Sequence, residues 1–246
     1  MPQPLVSVVI PAFNEESRIG SSLELILDYF DAREERFEVV VVDDGSSDRT
    51  VEAVEEVVRS HANGGVVRVV RNDGNRGKGY SVRRGMLEAI GLHGLLTDAD
   101  LSTPIDEFPK LEAEVIRGGY DIAIGSRDIE GARVEVHQSS VRENSGKLYN
   151  IFVRLLTGFT FRDTQCGFKL FDLARKQDLF GRQLIERFGF DVELLMIAQR
   201  LGMSVKEVPV LWRHDSGSKV NFIRDGSRML FDLLRVRWNG LLGRYR

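Results

Sequence analysis

Short runs of β-branched and aliphatic residues alternate with helical patterns along the first half of this chain, and this alternation restricts the fold more than any other feature. The runs cover residues 6–10, 39–42, 66–70, 95–96 and 122–124. Between the first two, apolar residues recur at helical spacing from Ile19 to Phe30. Strands that alternate with helices form a mainly parallel sheet with helices on its faces. The sequence therefore predicts an α/β protein, with further helices over 80–90, 105–116, 142–156 and 191–201.

Polar residues follow each apolar run. They are Pro11-Ala12-Phe13-Asn14-Glu15, Asp43-Asp44-Gly45-Ser46, the stretch 72–78, Asp98-Ala99-Asp100 and Gly125-Ser126-Arg127. In open sheets of this kind, ligands bind beyond the carboxyl ends of the strands. We therefore expect these five strand ends to form one rim that holds the ligand.

Asp98 and Asp100 are separated by one residue at a strand end, so both carboxylates can reach one small volume. Mg²⁺ is commonly held by one or two carboxylates together with substrate phosphates. The pair alone is weak evidence, because acidic residues are also common turn and cap formers. The functional interpretation of the pair becomes more specific because four other polar strand ends are expected at the same rim.

The run from Asp43 to Asp48 has two compatible interpretations. Asp, Gly and Ser favour a turn followed by a helix cap, while carboxylates also accept hydrogen bonds from imide N–H groups and ribose hydroxyls. The glycine-rich stretch 74–79 precedes a predicted helix, which suits a backbone that approaches phosphate at a positive helix end. Its glycine spacing matches neither the dinucleotide fingerprint nor the Walker sequence. The sequence thus favours a plain nucleotide over NAD or ATP.

The composition is that of an ordinary globular protein. The chain has 246 residues, of which 42% are hydrophobic, enough to bury a substantial core. A single cysteine, Cys166, excludes an internal disulfide framework. The start MPQPLVSVV has no basic segment before a long apolar run, and no apolar stretch approaches the roughly 20 residues that span a bilayer. We therefore expect a cytoplasmic location.

The blocks VSVVIPAFNEE, VVVVDDGSSDRT, NRGKGYSVRRG, DADLS and AIGSR, in this order, resemble the family 2 inverting glycosyltransferases. The later blocks DTQCGFK and FGFDVELLMIAQ, with Trp212 and Gly217-Ser218-Lys219, resemble the dolichyl-phosphate β-glucosyltransferase branch of polyprenyl-phosphate glycosyltransferases. This resemblance implies the Rossmann-like GT-A fold for a single catalytic domain over 1–221, followed by a C-terminal amphipathic helix over 222–246. The nucleotide-binding half would cover about 1–127 and the acceptor half about 128–221.

The resemblance also implies roles for the residues that match its motifs. The nucleotide would be held by Pro11, Ala12, Glu15, Asp43, Asp44, Lys78 and Asp98. Asp100 would bind a divalent cation, Mg²⁺ or Mn²⁺, that bridges the diphosphate of a nucleotide-sugar donor. The diphosphate and the acceptor phosphate would face Arg127, Arg142, Arg213 and Lys219, which complete the catalytic set with Asp100. Related mannose synthases often have a Gln ligand where this chain has Ser102, which favours the glucosyl branch and leaves a third metal ligand open.

The reaction that the resemblance implies is transfer of a hexose, with glucose from UDP-glucose favoured, to a polyprenyl phosphate of the dolichyl type with inversion. A phosphate acceptor is already anionic at pH 7, so catalysis would rest on positioning and charge compensation. Asp191 and Glu193 would be base candidates only for a sugar-hydroxyl acceptor. Alternatives that stay open are transfer of mannose or N-acetylglucosamine, a non-lipid acceptor, and a non-catalytic module that binds a nucleotide sugar.

The C-terminal segment is basic although the whole chain has a net charge of −3. Residues 213–246 include eight basic and three acidic side chains, without the interleaved aromatic platforms of a nucleic-acid site, so we expect no nucleic-acid partner. Helical spacing places one apolar side on Ile223, Leu230, Leu233, Leu234 and Leu241, edged by Arg224, Arg228 and Arg235. This helix either lies in the interface of an anionic membrane or packs on the sheet. The first alternative predicts peripheral contact with the cytoplasmic membrane face.

Overall fold

The computed structural model describes residues 3–33, 35–136, 140–213 and 222–245; within these ranges the side chains of 136, 140–147, 222–225 and 227 are not described. The strands are β1 (Val6–Ala12), β2 (Phe37–Asp43), β3 (Val67–Arg71), β4 (His93–Leu96), β5 (Ile122–Ser126), β6 (Arg133–Val136), β7 (Lys169–Asp172), β8 (Val205–Pro209) and β9 (Leu211–Arg213). The α-helices are α1 (Ile19–Ala32), α2 (Thr50–Ser60), α3 (Lys78–Glu88), α4 (Phe108–Glu112), α5 (Ser140–Thr157), α6 (Lys176–Gly181), α7 (Phe190–Arg200) and α8 (Phe222–Leu241). Short 3₁₀ turns cover Gly64–Val66, Ile105–Glu107 and Leu173–Arg175, and a π-helical turn covers Ala113–Arg117.

The central sheet has seven strands in the order β3-β2-β1-β4-β7-β5-β8. Strand β7 runs antiparallel to both of its neighbours, β4 and β5, whereas the other pairs in the sheet are parallel. Strands β1 and β2 are buried along nearly their whole length, as expected for parallel strands that helices cover on both faces. The predicted α/β class, a mostly parallel sheet flanked by helices, is confirmed.

Two helical layers cover the sheet. Helices α1, α2 and α4 share one core cluster with the sheet, and α3, α6 and α7 share the other. Helix α1 buries Ile19, Leu23 and Phe30 at helical spacing, and Phe30 stacks on Phe37 of β2 with ring centroids 5.0 Å apart. On the opposite face, Gly85 lets α3 approach β1 closely, because an added Cβ would lie 2.5 Å from Val9 Cγ1.

The reversed strand β7 determines which residues reach the carboxyl ends of β4 and β5. Lys169, its first residue, pairs with Leu96 at the end of β4 and with Ile124 in β5. Because an antiparallel strand begins where its parallel neighbours end, the segment before β7 lies at the same edge of the sheet. The block from Asp163 to Phe168 thereby joins the predicted rim.

Helices α5 and α8 pack over the same core cluster as α7, and β6 pairs with β9 in a separate small sheet. Helix α8 buries Leu233 and Val236 but exposes Leu230, Leu234 and Leu241. The residues predicted to form one apolar side of this helix are therefore divided, because some are buried in the core and others are exposed. Of the two predicted alternatives, packing of the helix on the core is observed. Within the described parts of the chain, no helix combines the length and the apolar character needed to cross a membrane.

Candidate active site

The carboxyl ends of the first strands form one continuous rim. Ala12 pairs with Asp43, and its carbonyl accepts a hydrogen bond from the Asp44 N–H at 2.8 Å. The Asp43 carbonyl in turn accepts from the Asn72 N–H at 2.9 Å, and the Thr97 N–H donates to the Val9 carbonyl at 3.2 Å. The structure therefore brings together the strand ends that the sequence placed at one edge.

Side-chain hydrogen bonds connect the loop after β1 to the loop after β2. Asn14 has a positive φ of 56°, a conformation that Asn tolerates better than most residues. Its N–H donates to Ser46 Oγ at 2.9 Å, and its side-chain oxygen accepts from the Ser47 N–H at 2.8 Å. The Glu15 N–H donates to Thr50 Oγ1 at 2.7 Å. These bonds fix the position of the loop that follows β1 and carries Glu15.

The two adjacent carboxylates at the end of β2 have different surroundings. Asp43 Oδ1 accepts from the Ser46 N–H at 3.1 Å, which stabilises the turn. Asp44 Oδ1 accepts from Asn72 Nδ2 at 2.8 Å and from the Arg76 N–H at 3.0 Å, and its Oδ2 accepts from the Gly77 N–H at 2.7 Å. Asp44 therefore holds the glycine-rich loop in place, which supports the structural interpretation of the run from Asp43 to Asp48. Its contact with a nucleotide stays a prediction.

Lys78 is the first residue of α3, and its ammonium group contacts the carboxylate of Asp98 at 2.6 Å. Burial lowers the pKa of Lys78, but the carboxylates of Asp98 and Asp191 outweigh it and raise the pKa above the ordinary lysine value. Lys78 therefore adds a positive charge to the rim at neutral pH. Two of the seven residues that the sequence assigned to the nucleotide, Lys78 and Asp98, therefore lie in direct contact.

Gly167 packs directly against Asp98. A Cβ at Gly167 would lie 2.0 Å from Asp98 Oδ2, far inside van der Waals contact. The segment immediately before β7 thus supplies a backbone wall for the carboxylate. The contact between Gly167 and Asp98 could not be inferred from the spacing of Asp98 and Asp100 or from their position at the end of a strand.

Both carboxylate oxygens of Asp100 have partners at the rim. Its Oδ1 accepts from the Ser102 N–H at 2.9 Å, and its Oδ2 lies 3.7 Å from Arg18 Nη1. Arg18 forms a two-point ion pair with Glu15, so it links two residues that the sequence assigned to the donor site. Leu101, between Asp100 and Ser102, has a positive φ of 46°, which is uncommon for an aliphatic residue.

This carboxylate fits a divalent cation that is completed by substrate. Hard oxygen ligands suit Mg²⁺ and Mn²⁺, and Mg²⁺ commonly takes only one or two protein carboxylates beside phosphate oxygens. Across the described residues, no group of three or more His, Cys, Asp and Glu side chains could hold a metal ion. A cation here would therefore depend on Asp100 and on the diphosphate of the donor.

Arg127, at the end of β5, is paired with the fully buried Asp163. Its Nε and Nη2 lie 2.6 Å and 2.9 Å from the two carboxylate oxygens, and its guanidinium lies 5.4 Å from the ring centroid of Trp212. Burial raises the pKa of Asp163, but the contact with Arg127 outweighs it and brings the pKa below the ordinary aspartate value. Arg127 therefore anchors the segment that precedes β7, and a direct contact with phosphate stays a prediction.

Strand β9 brings Arg213 beside the Asp98–Asp100 loop. Its N–H donates to the Ser102 carbonyl at 2.8 Å, and its exposed guanidinium contacts Glu135 at 2.7 Å. Arg142 lies in α5 with a side chain outside the described part of the structure, and Lys219 lies outside the described residues. The structure thus places the backbone of Arg213 near the rim, and the roles of all three cations stay predictions.

The two acidic residues of α7 are buried and engaged. Asp191 pairs with the buried ammonium of Lys169 at 2.5 Å, and burial raises the pKa of Asp191 although Lys169 and Lys78 lower it. Glu193 accepts from the N–H groups of Leu184 and Ile185 at 2.9 Å and 2.7 Å and from the hydroxyl of Tyr245 at 2.8 Å. Both carboxylates stabilise the packing of α7.

Three residues of the site were not identified in the sequence: Arg18, Gly167 and Lys169. Arg18 follows Glu15 by three positions at the start of a helix, a spacing that permits ion pairs and could have indicated this one. Gly167 and Lys169 belong to a block that the sequence singled out. Their partners lie far away in the chain, so no local pattern connects them.

A sheet of this order, with carboxylates and a lysine at its carboxyl rim, is the GT-A architecture of glycosyltransferases. Comparison with solved structures agrees with this class. Glucosyl-3-phosphoglycerate synthase from Mycobacterium tuberculosis, in complex with Mn²⁺, UDP-glucose and phosphoglyceric acid, matches with a TM-score of 0.71 at 21% identity, over 95% of this chain and 79% of that one. The UDP complex of the same enzyme matches with a TM-score of 0.70 at 22% identity, over 96% of this chain and 80% of that one.

Residues 7–186 match the family described as Glycosyl transferase family 2. The chain therefore belongs to glycosyltransferase family 2 and is a glycosyltransferase. It is similar to dolichyl-phosphate beta-glucosyltransferase ALG5D of Trichomonas vaginalis, with 36% identity over 96% of this chain and 73% of the relative. It is also similar to the dolichyl-phosphate beta-glucosyltransferase of Homo sapiens, with 34% identity over 100% of this chain and 78% of the relative. The family resemblance of the sequence motifs is confirmed.

Proposed function

We propose that this enzyme transfers glucose from UDP-glucose to a polyprenyl phosphate of the dolichyl type, with inversion at the anomeric carbon. The contact between Lys78 and Asp98, together with the Asp100 carboxylate that lies two residues further along the same loop, carries the donor half of the proposal. The relatives named dolichyl-phosphate beta-glucosyltransferase support the acceptor half. Structural neighbours crystallised with Mn²⁺ and UDP-glucose support the donor and the metal.

The rim residues would divide the donor between them. Pro11, Ala12, Glu15 and Asp43 line the side of β1 and β2 and would hold the base and ribose, while Lys78 and Asp98 would lie beside the nucleotide. Asp100 would hold Mg²⁺ or Mn²⁺ together with phosphate oxygens, and the cation would neutralise charge on the departing UDP. Lys78, kept cationic by its carboxylate neighbours, adds a fixed positive charge to the same region.

In the proposed displacement, an acceptor phosphate oxygen forms the new bond to the anomeric carbon as the bond from that carbon to the UDP oxygen breaks. The phosphate is already deprotonated, so no general base is required. This agrees with the engagement of Asp191 by Lys169 and of Glu193 by backbone N–H groups. Arg127, Arg142, Arg213 and Lys219 would hold the two phosphates in line.

The proposal includes a location and a division of the chain. The enzyme would act as a peripheral protein at the cytoplasmic face of the membrane that contains its acceptor. Residues 1–221 would form the catalytic domain, in which the nucleotide side, about 1–127, and the acceptor side, about 128–221, share one sheet. The C-terminal helix over 222–246 would follow this domain.

A donor panel tests the proposal directly. Purified protein is incubated with Mg²⁺ or Mn²⁺, a short-chain polyprenyl phosphate, and UDP-glucose, GDP-mannose or UDP-N-acetylglucosamine in turn. We expect transfer from UDP-glucose and a β-linked product by NMR. Preferred transfer of another sugar would contradict the donor assignment, and transfer only to non-lipid acceptors would contradict the acceptor assignment.

Asp100→Ala tests the metal site in the same assay. We expect this variant to keep its thermal unfolding midpoint and to lose metal-dependent transfer and Mn²⁺ binding, measured by electron paramagnetic resonance. Asp106→Ala, which removes an exposed carboxylate from a 3₁₀ turn, is the matched control and should behave like the wild type. Mn²⁺ binding that survives in Asp100→Ala would place the metal elsewhere.

A further inference from the structure

Arg18 lies between two carboxylates of the rim. It is the residue immediately before α1, and its Nε and Nη2 donate to the two carboxylate oxygens of Glu15, the second at 3.0 Å. Its Nη1 lies 3.7 Å from Asp100 Oδ2. One guanidinium group therefore joins the carboxylate that the sequence assigned to the nucleotide with the carboxylate that it assigned to the metal ion.

Hydrogen bonds hold both carboxylates in place. The Glu15 N–H donates to Thr50 Oγ1 at 2.7 Å, which ties the loop after β1 to the start of α2. On the other side, the Ser102 N–H donates to Asp100 Oδ1 at 2.9 Å, so Oδ2 is the oxygen that faces Arg18. The position of the guanidinium group beside Asp100 is therefore set by the backbone on both sides.

The two contacts of Arg18 differ in kind. Two donors engage Glu15, a geometry that combines charge with directed hydrogen bonds. The 3.7 Å separation from Asp100 is within ion-pair range but beyond the roughly 2.7–3.2 Å of a hydrogen bond. Arg18 is therefore anchored on Glu15 and attracted to Asp100, so it can move away from Asp100 and still keep its anchor.

Solvent screens these three charges only weakly. The side chains of Glu15, Arg18 and Asp100 are 14%, 16% and 17% exposed. Partly buried charges interact more strongly than charges in open water, and salt screens them less. A divalent cation that binds Asp100 therefore meets the positive charge of Arg18 at the same carboxylate. This repulsion lowers the affinity of the enzyme for the cation when no donor is bound.

A diphosphate changes this balance. Phosphate oxygens are ligands for Mg²⁺, and a guanidinium group forms strong, charge-assisted hydrogen bonds with phosphate. The negative charge of a bound UDP would attract both Arg18 and the cation, and it would offset the repulsion between them. The same arginine that opposes the cation in the enzyme without donor thus becomes compatible with it in the donor complex.

We propose that Arg18 couples binding of the divalent cation to binding of the donor. It weakens the binding of the cation to Asp100 in the enzyme without donor, and it contacts the diphosphate when donor and cation are bound together. The inference rests on the proposed function, which supplies Asp100 as the metal ligand and UDP as the diphosphate. Because such coupling is reciprocal, the cation raises the affinity for UDP by the same factor by which UDP raises the affinity for the cation.

Titration with Mn²⁺, followed by electron paramagnetic resonance with and without UDP, tests the proposal without acceptor or turnover. In the wild type we expect UDP to raise the affinity for Mn²⁺ at least about tenfold, within the usual range of coupling between two sites. Arg18→Gln should bind Mn²⁺ without UDP at least about fivefold more tightly than the wild type does, and UDP should then add correspondingly less. Unchanged Mn²⁺ affinity and unchanged coupling in Arg18→Gln would overturn the proposal.

A gain of affinity is a readout that damage to the fold does not produce, and circular dichroism checks folding of each variant. Arg18→Lys keeps the positive charge and should keep the weak binding of Mn²⁺ without UDP. Binding as tight as that of Arg18→Gln would overturn the role of the charge. Arg59→Gln removes an arginine of α2 that is 69% exposed, and it is the matched control that should behave as the wild type does.

The double variant Arg18→Gln/Asp100→Ala separates this inference from the proposed function on which it rests. Its Mn²⁺ affinity without UDP should lack the gain seen in Arg18→Gln, because the carboxylate beside Arg18 has been removed. A gain that persists without Asp100 would place the metal elsewhere and would contradict the proposed metal site as well. Absence of any gain in Arg18→Gln, with Mn²⁺ binding that still requires Asp100, would contradict the role of Arg18 alone.

Discussion

Gly167→Ala should disable the donor site by adding one methyl group, without any change of charge. The new Cβ would lie 2.0 Å from Asp98 Oδ2, 2.5 Å from its Cγ and 2.8 Å from its Oδ1. Carbon and oxygen atoms that are not bonded normally stay about 3.5 Å apart, so the carboxylate has to move by more than 1 Å. Its 2.6 Å contact with Lys78 is then lost.

The expected loss follows from the strength of that contact. A hydrogen bond between charged groups contributes about 1.5–3 kcal/mol, and about 1.4 kcal/mol corresponds to a factor of ten. UDP affinity in the presence of Mn²⁺, measured by calorimetry, should therefore fall on the order of tenfold to a hundredfold, and transfer should fall with it. Gly65→Ala adds a methyl group with no atom within 4 Å and should leave both quantities unchanged.

A double-mutant cycle separates this mechanism from general damage to the fold. In Asp98→Ala the carboxylate is absent, so the methyl group of Gly167→Ala has nothing to displace. The double variant should then bind UDP as Asp98→Ala alone does, which is a non-additive result. Losses that add, or a Gly167→Ala enzyme with normal UDP affinity, would refute the reasoning.

Other contacts give sharp expectations for stability. Lys169→Met leaves Asp191 buried without its paired cation, so the free energy of unfolding measured in urea should fall by about 3–5 kcal/mol. The double variant Lys169→Met/Asp191→Leu removes both charges and should recover most of this loss. A double variant as unstable as the single one would contradict this. Asp163 has a folded pKa below its unfolded value of about 3.9, so its stabilising effect is present above that value and is lost as pH falls through the folded pKa. Asp163→Asn should therefore reduce the acid dependence of the unfolding free energy below about pH 4, and an unchanged slope would contradict the assignment. Glu193→Gln should keep transfer to a polyprenyl phosphate, and inactivity of the folded, UDP-binding variant would contradict a base-free reaction.

The sequence predicted the parts of the fold that depend on local pattern. Buried strands such as β1 and β2 appear as uninterrupted apolar runs, and parallel order places their polar ends at one rim. The sequence thereby located Asp43, Asp98 and Asp100 together. These residues can be recognised because each lies at the end of a strand, and the end of a strand is visible in the local sequence pattern.

Features that depend on distant pairing were not predictable in this way. Strand β7 is short and lies late in the chain, and nothing in its four residues indicates that it is reversed or that it enters between β4 and β5. The contacts of Asp98 with Gly167 and of Asp191 with Lys169 follow from that insertion. Helix α8 shows the same limit, because its apolar pattern could not separate Leu233, which is buried, from Leu234, which is exposed.

The position of β7 has a consequence for protein synthesis. A growing chain that has released β1 to β5 already contains every aspartate of the rim, but β4 and β5 have no partner between them until β7 emerges from the ribosome. Pairing over such a separation is entropically costly and slow. The contact of Gly167 with Asp98 can therefore form only after the segment that precedes β7 has been made, so chains truncated before β7 are expected to lack transfer activity although they contain the carboxylates of the rim.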